Sequence, residues 1–396
     1  MRALAPLAAA GLVVALTAAC SGSAAAPAAS TSTGSRTTSG SSASASPSSS
    51  ATTAGGSSTG SATAPASPSA TTTLPSDPDV LTMAFAGDVH FEDYLAPLAR
   101  DPQGLAELRS TLGAADLSVV NLETAITERG TKIGKEFHFR APASALVTVQ
   151  NAGVDAVSMA NNHGVDYGPV GLQDTLAAKK SSPIPVVGIG ADEAEAYAPA
   201  VLSAKGLKVA VFGASEVFEM TLARYSAGPG KGGIASAAPV TRLRQAVAAA
   251  HRKYDVVVVV LHWGLDYQKC PDNLSAETAQ ALAEAGADVI VGGHSHRVNG
   301  AGWLGRSYVA YGLGNFVWWR SHEPDSRSGV LTLSLDVRRA KARADDGHSL
   351  VRKAGWTPML IGADGIPRRP GTADTARLMG LWNQANACTG LESSPS

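Results

Sequence analysis

The 396-residue chain lacks an excess of basic residues, because its 32 Lys and Arg are balanced by 33 Asp and Glu, for a net charge of −1. Proteins that bind nucleic acid neutralise its phosphates with a basic surface. The composition therefore gives no reason to expect nucleic acid as a partner.

Residues 21–76 lack aromatic side chains, and Arg36 is their one charged residue. Nearly every other position is Ala, Ser, Thr, Gly or Pro. A segment of this composition cannot bury enough apolar surface to offset its chain entropy. We therefore expect a disordered linker over residues 21–78 and a folded domain over residues 79–396.

The apolar run at the N-terminus, residues 3–19, is too short to span a bilayer comfortably, and it follows the basic start Met1-Arg2. Residues 17–22, TAACSG, resemble a bacterial lipoprotein box in which Cys20 becomes the lipidated first residue. We expect residues 1–20 to be a lipoprotein-type signal peptide, and the mature chain to be lipid-anchored at the outer face of the bacterial cell membrane. Secretion without lipid and a retained membrane anchor are the alternatives.

Cysteine is scarce, with Cys20, Cys270 and Cys388 as the three examples. With Cys20 lipidated, the other two form an even pair in an oxidising compartment. A disulfide between the C-terminal segment and the loop after His262 is one interpretation, and two unrelated thiols are the other.

Short apolar runs alternate with Ala- and Leu-rich stretches from Val80 onward, a pattern that favours an α/β architecture. The apolar runs predict strands at Val80–Ala86, Leu117–Val120, Asp155–Met159, Lys208–Phe212, Asp255–Leu261, Ala287–Val291 and Arg306–Tyr311. Helices are predicted at Leu105–Leu112, Ala143–Ala152, Gly168–Lys179, Pro239–Arg252, Ala276–Ala285 and Asp374–Asn386. A later polar-alternating strand, Gly329–Val337, predicts an antiparallel element and hence mixed sheets.

Polar side chains follow five of these strands at the point where each strand ends. They are Asp88 with His90, then Glu123, then Asn161-Asn162-His163, then His262, and finally His294 with His296. Ligands of α/β sheets bind outside the carboxyl ends of the strands, where the loops converge. We therefore expect these residues to meet, although they span some two hundred positions.

The chemistry of these side chains suits divalent metal ions. Imidazoles and carboxylates together bind Mn, Fe or Zn, and no thiolate accompanies them. Seven candidate ligands exceed the needs of one tetrahedral ion, so a two-metal site that activates water is the economical interpretation. Taken singly, each motif has another explanation: Asp88 as a helix cap, Glu123 as a solvated carboxylate, His262 as a hydrogen-bonded strand-end residue.

Six motifs in order resemble the CapA family of capsule or poly-γ-glutamate synthesis proteins, within the calcineurin-like metallophosphoesterase superfamily. They are FAGDVH (85–90), VNLE (120–123), ANNHGVDYG (160–168), HWGLDY (262–267), GADVIVGGHSH (286–296) and YGLGNF (311–316). The resemblance implies a four-layer α/β/β/α sandwich of two mixed sheets.

The resemblance also implies a role for each polar residue. Asp88, His90 and His296 would bind a first metal ion, Glu123 would bridge, and Asn162, His262 and His294 would bind a second. His163 would be the catalytic histidine, which protonates a leaving group or stabilises an oxyanion. Two positions depart from the superfamily: Glu123 replaces a bridging Asp, and Gly164 replaces the acid after the histidine, with Asp166 the nearest substitute.

Other polar residues are candidates for supporting roles. Arg140 could hold a carboxylate or phosphate of the substrate, and its alternative is an ordinary surface arginine. Asn315 is expected to line the cleft and bind substrate. Asp166, Asp266 and Tyr267 are expected to orient the histidines from behind.

The hypothesis that follows is an exported lipoprotein that assembles or attaches an anionic envelope polymer, with a di-metal hydrolase centre. One alternative is a phosphoesterase or amide hydrolase that acts on another envelope substrate. A second is a non-enzymatic partner of a membrane polymer synthase, in which the cluster is structural.

Overall fold

The computed structural model describes residues 77–343 and 346–395. The expected signal peptide, the lipidation site Cys20 and all but the last two residues of the expected linker lie outside this range. No helix in the described ranges has both the length and the hydropathy to cross a membrane. Cys270 and Cys388 form a disulfide, so the first of the two interpretations of this pair is confirmed.

Eighteen strands and ten α-helices make up the described part of the chain. The strands are β1 Val80–Val89, β2 Leu117–Leu122, β3 Ala125–Ile126, β4 Arg140–Ala141, β5 Ala156–Ser158, β6 Val186–Val187, β7 Ile189–Gly190, β8 Ala200–Ala204, β9 Leu207–Ser215, β10 Gly233–Ile234, β11 Val256–Trp263, β12 Val289–His294, β13 Ala301–Leu304, β14 Ser307–Ala310, β15 Asn315–Val317, β16 Arg327–Asp336, β17 Val351–Ile361 and β18 Pro367–Arg368. The helices are α1 Ala96–Arg100, α2 Arg109–Leu112, α3 Ser144–Asn151, α4 Gly168–Ser181, α5 Glu193–Ala196, α6 Met220–Tyr225, α7 Thr241–His251, α8 Asn273–Glu284, α9 Val337–Ala342 and α10 Thr372–Asn386.

Two large mixed sheets carry the fold. The first has the order β18-β17-β16-β1-β2-β5-β6, with β15 also paired to β1, and the second has the order β13-β14-β12-β11-β9-β8. Within the first sheet β1, β2, β5 and β6 run parallel, whereas β16 joins β1 antiparallel. In the second sheet, β9, β11, β12 and β14 are parallel. The late antiparallel strand predicted from its alternation is therefore β16.

Three apolar layers hold these elements together. One core lies between the sheets and joins residues of β1 and β2 to residues of β9, β11 and β12. A second core packs α1 to α4 on the outer face of the first sheet, and a third packs α7 and α8 on the outer face of the second. Strands buried on both faces need continuous apolar runs, as in the all-buried β11. The expected four-layer α/β/β/α sandwich is confirmed.

Some helices and strands begin or end at residues other than the predicted ones, because capping side chains start a helix there. Helix α8 begins at Asn273, before the predicted Ala276, because the Asp272 carboxylate accepts from Ser275 N at 2.7 Å and starts the helix. Strand β16 ends at Asp336, one residue before the predicted Val337, for the same reason. The Asp336 carboxylate caps helix α9, which begins at Val337.

Candidate metal centre

Parallel strand pairing brings the candidate ligands to one end of both sheets. Asp88 lies in register with Asn121 on one side and Asn315 on the other. In the second sheet, His262 lies in register with Gly293, and His294 follows directly. A Cβ atom on Gly293 would lie 2.4 Å from Asp88 Oδ1, so glycine is required there for the two sheets to approach.

Asp88, Glu123 and His262 form the centre of the cluster. One ligand atom from each of these residues lies within 4.8 Å of the other two, and all three side chains are buried. Burial, and then repulsion from Asp88, raises the pKa of Glu123 well above its usual value. Neither Glu123 oxygen has a hydrogen-bond partner. A buried carboxyl without partners is costly unless a cation or proton neutralises it.

The Asp88 carboxylate is held by two donors from neighbouring strands. Asn121 Nδ2 donates to Oδ1 at 2.8 Å, and the backbone N–H of His294 donates to Oδ2 at 3.1 Å. Burial raises the pKa of Asp88 to about 6 despite these bonds. The position of Asp88 therefore depends on both sheets.

His90 is enclosed by aromatic rings. Its ring stacks on Phe139 with centroids 4.4 Å apart and meets the edge of Trp318 at 4.2 Å. Burial lowers the pKa of His90 well below its usual value, so the imidazole is neutral. Its Nδ1 accepts from Glu92 N at 3.1 Å, while its Nε2 is buried without a partner.

The structure gives Asn161 and Asn162 different surroundings. The Asn161 amide bonds Asn121 Oδ1 at 3.0 Å and Leu122 O at 2.9 Å, so it ties neighbouring strand ends together. Asn162 Oδ1 instead lies 2.8 Å from His262 Nε2. These contacts place Asn162, rather than Asn161, toward the candidate metal ligands.

His294 and His296 both have backbone φ angles in the left-handed region, +91° and +53°. Such angles are unfavourable for residues with a Cβ and occur where function requires a particular side-chain direction. The two rings are 6.1 Å apart, and His294 lies 4.8 Å from the His262 ring. Burial lowers the pKa of each to about 4, and Nδ1 of His294 is buried without a partner.

His163 forms a histidine–acid pair with Asp166. Its Nδ1 lies 2.6 Å from Asp166 Oδ2, and its Nε2 lies 3.7 Å from Glu123 Oε1. The ring stacks on Phe139 at 3.9 Å between centroids. Burial, and then the charge of Lys135, lowers the pKa of His163 well below its usual value. Asp166, three residues on, thus contacts the histidine in place of the acid that the motif lacks.

The three residues expected to support the histidines contact them unequally. Asp166 bonds His163 as described, and the half-exposed Asp266 carboxylate lies 3.5 Å from His294 Nε2. Tyr267 is also half-exposed, and its ring centroid is 6.1 Å from that of His296. Asn315 lines the cleft, and its Oδ1 lies 2.8 Å from His296 Nδ1, so it positions a histidine as well.

Arg140 does not line the cleft. Its guanidinium lies over the Tyr167 ring, 4.8 Å from the centroid, and it borders a separate groove beside Glu92. The cause is the pairing of β4 with β3, together with a bond from Arg140 N to Glu92 Oε2 at 3.1 Å. Arg320 is the arginine that lines the cleft, in a wall made largely of aromatic side chains: Phe137, Phe139, Tyr267, Trp318 and Trp319.

Three contributors escaped the sequence interpretation. Asn121 belongs to the VNLE motif, two residues before Glu123, and this position is the sequence signal that could have identified it. Lys135 donates to Asn162 O at 2.6 Å and pairs with Asp166 Oδ1 at 3.1 Å, from a loop without a motif. Arg320 pairs with Asp325 at 3.2 Å and gives no signal in the sequence.

The donor set fits metal ions. Among the described residues, the buried side-chain atoms without hydrogen-bond partners include His90 Nε2, His294 Nδ1 and both oxygens of Glu123. Burial favours neutral imidazoles, which present lone pairs, and it raises the pKa values of carboxyls that a cation would stabilise as anions. A cluster of nitrogen and oxygen donors of this kind is suited to Mn, Fe or Zn.

Comparison with protein families matches residues 82–318 to the family described as bacterial capsule synthesis protein PGA_cap. The PGA biosynthesis protein CapA of Bacillus subtilis is 27% identical over 255 residues, which cover 62% of this chain and 66% of that protein. The capsule biosynthesis protein CapA of Bacillus anthracis is 33% identical over 190 residues, 47% of this chain and 46% of that protein. The chain thus matches about half to two thirds of the length of these relatives.

Among solved structures, a novel phosphatase from Mycoplasma pneumoniae is similar to this chain with a TM-score of 0.43 and 15% sequence identity. The match covers 76% of this chain and 96% of that one.

Proposed function

Because the chain belongs to the bacterial capsule synthesis protein PGA_cap family, we propose that it acts in the synthesis or attachment of an anionic envelope polymer such as poly-γ-glutamate. The name of the Bacillus subtilis relative, PGA biosynthesis protein CapA, supports the choice of polymer, and the name of the Bacillus anthracis relative supports a role in a capsule. Export is part of the proposal, with lipid on Cys20 as the anchor and secretion as the alternative. The disulfide between Cys270 and Cys388 supports an oxidising compartment.

The site is proposed to be a di-metal hydrolase centre. Asp88, His90 and His296 would hold one ion, Asn162, His262 and His294 the other, and Glu123 would lie between them. When bound, such ions activate a water molecule and stabilise charge on the group under attack. The observation that carries this proposal is the convergence of buried, unpartnered carboxylate and imidazole atoms from both sheets.

His163 supplies proton transfer in this proposal. Asp166 fixes the ring through Nδ1, which leaves Nε2 directed at the cluster, 3.7 Å from Glu123 Oε1. A neutral histidine held in this way can exchange a proton with an attacking or leaving group through Nε2. Phe139 stacks on both His90 and His163 and so shields these two rings from water.

Metal analysis of the full chain tests the centre. We expect two ions per chain after equilibration with Mn²⁺ or Zn²⁺, and a loss of binding in Asp88→Ala and His294→Ala. His251→Ala, which changes a histidine of α7 outside the cluster, is the control and is expected to keep both ions. A phosphodiester and a γ-glutamyl amide, assayed with the metal-loaded chain, then decide which bond is cleaved.

Complementation distinguishes the hydrolase proposal from the role of a non-enzymatic synthase partner. In a deletion strain, the hydrolase proposal predicts that His163→Ala binds metal but does not restore polymer formation. If the Asp88→Ala variant, free of metal, restores the polymer fully, the hydrolase is wrong and the role of a non-enzymatic synthase partner is favoured.

A further inference from the structure

A deep groove lies behind the metal cleft, beside helix α10. Its apolar wall consists of Trp356 from β17 and Leu378, Leu381 and Trp382 from α10. The two tryptophan rings stack with centroids 4.5 Å apart. The groove has a cavity volume of about 190 Å³. This is less than the volume of a typical ligand site, so the groove would enclose only a short segment of a ligand.

The charged side chains that line this groove are all positively charged. Lys269, Arg297 and Arg327 contribute to the lining, and none of the described residues that line it is an Asp or Glu. Arg297 shares the Asp325 carboxylate with Arg320, so these two guanidinium groups are only partly compensated. Arg327 and Arg377, by contrast, are compensated by Glu323 and Asp374. The groove therefore complements a ligand that is anionic and also has apolar segments.

One ion pair separates the groove from the metal cleft. Arg297 lines the groove and donates to His296 O at 2.7 Å and to Asp325 Oδ1 at 2.6 Å. Asp325 lines the cleft on the other side of this pair, next to Arg320. A chain that occupies the groove thus lies directly beside the candidate ligand His296.

We propose that the groove is a second, non-hydrolytic binding site, which holds a segment of an anionic polymer of the γ-glutamate type next to the metal cleft. The proposal rests on the proposed function for the polymer, but it concerns a different set of residues. Each unit of such a chain has one carboxylate for the cations, methylene groups for the Trp and Leu wall, and an amide. Gln384, which also lines the groove and is exposed, can hydrogen-bond to that amide.

Charge reversal at exposed positions of the groove tests the proposal. Lys269 and Gln384 are both exposed, so Lys269→Glu with Gln384→Glu changes the lining while sparing the core. The control is Lys231→Glu with Gln173→Glu, two exposed positions outside the groove with the same total change of charge. Poly-γ-glutamate oligomers are titrated calorimetrically into each full-length chain in the presence of chelator, which removes metal from the cleft.

We expect the groove variant to bind the oligomers at least about tenfold more weakly than the wild type, and the control to bind them within about twofold. Asp88→Ala is expected to bind them as the wild type does, because the groove does not include the metal ligands. If the groove variant and the control bind the oligomers equally well, the groove proposal is overturned, but the metal proposal is not affected. The proposal is also overturned if the wild type binds phosphatidylglycerol vesicles instead of the oligomers and the groove variant does not bind them, since the occupant is then a lipid.

Discussion

Lys135 is a largely buried cation beside the candidate metal centre, where it contacts Asp166 and Asn162. Its side chain is 9% exposed, and it pairs with Asp166, lies 3.7 Å from Glu219 and donates to the Asn162 carbonyl. Removal of one partner from a buried pair leaves an uncompensated charge. We therefore expect Lys135→Met to lower the free energy of unfolding by about 3 kcal/mol and the affinity for the second metal ion by about tenfold.

Urea unfolding and Mn²⁺ titration measure these two effects. Lys132→Met, an exposed position on the same loop, is the matched control and is expected to change neither. Lys135→Arg keeps the charge and should recover part of the metal affinity, which a purely structural loss of packing would not do. If Lys135→Met and Lys132→Met unfold and bind Mn²⁺ alike, the positioning role of Lys135 is wrong.

At the scale of single residues, the sequence predicts the convergence of the candidate ligands better than it predicts the residues that support them. Asp88 and His294 stand in short motifs at strand ends, where parallel pairing dictates that they converge. Lys135 lies in the loop between β3 and β4, and Arg140 begins the two-residue strand β4, so no periodicity encodes the direction of either side chain. The sequence therefore drew attention to Arg140, whereas the folded loop brings Lys135 to the histidines.

Helix α10 is attached to the loop after β11 by the disulfide. The two cysteines are 118 residues apart, and a cross-link over such a loop restricts the unfolded chain strongly. By loop entropy, Cys270→Ser with Cys388→Ser lowers the free energy of unfolding by as much as about 5 kcal/mol. Urea unfolding followed by circular dichroism measures the loss, and the wild type in reductant should match the double variant. A change below about 1 kcal/mol contradicts the stabilising role.

Among elements, predictability follows the strength of the local pattern. The apolar runs of β1, β9, β11 and β12 were found because strands buried on both faces leave few polar interruptions. The sequence pattern does not predict β17, since Arg352, Lys353 and Gly355 interrupt its apolar residues, and its nine residue pairs with β16 depend on tertiary packing. The two-residue strands β3, β4, β6, β7, β10 and β18 are too short to give any periodic signal.

At the scale of the whole molecule, the candidate metal centre joins the two sheets. Asp88 belongs to β1 and Glu123 follows β2 in the first sheet, whereas His262 and His294 belong to the second. A ligand that binds only the folded state stabilises it by about 2.7 kcal/mol at a concentration one hundred times its dissociation constant. Metal bound here is therefore expected to stabilise the junction between both sheets rather than one local loop.

Hydrogen exchange with and without Mn²⁺ tests this expectation on the full chain. Amide exchange should slow in peptides of β1 and β2 and also in peptides of β11 and β12, and chelator should reverse the change. Asp88→Asn, which preserves the shape of the side chain, should lose the protection in both sheets together, because it removes the negative charge that would bind metal, while its amide oxygen can still accept from His294 N. Protection confined to one sheet would instead mean that its strand ends bind metal independently, and that the two sheets contribute to separate sites.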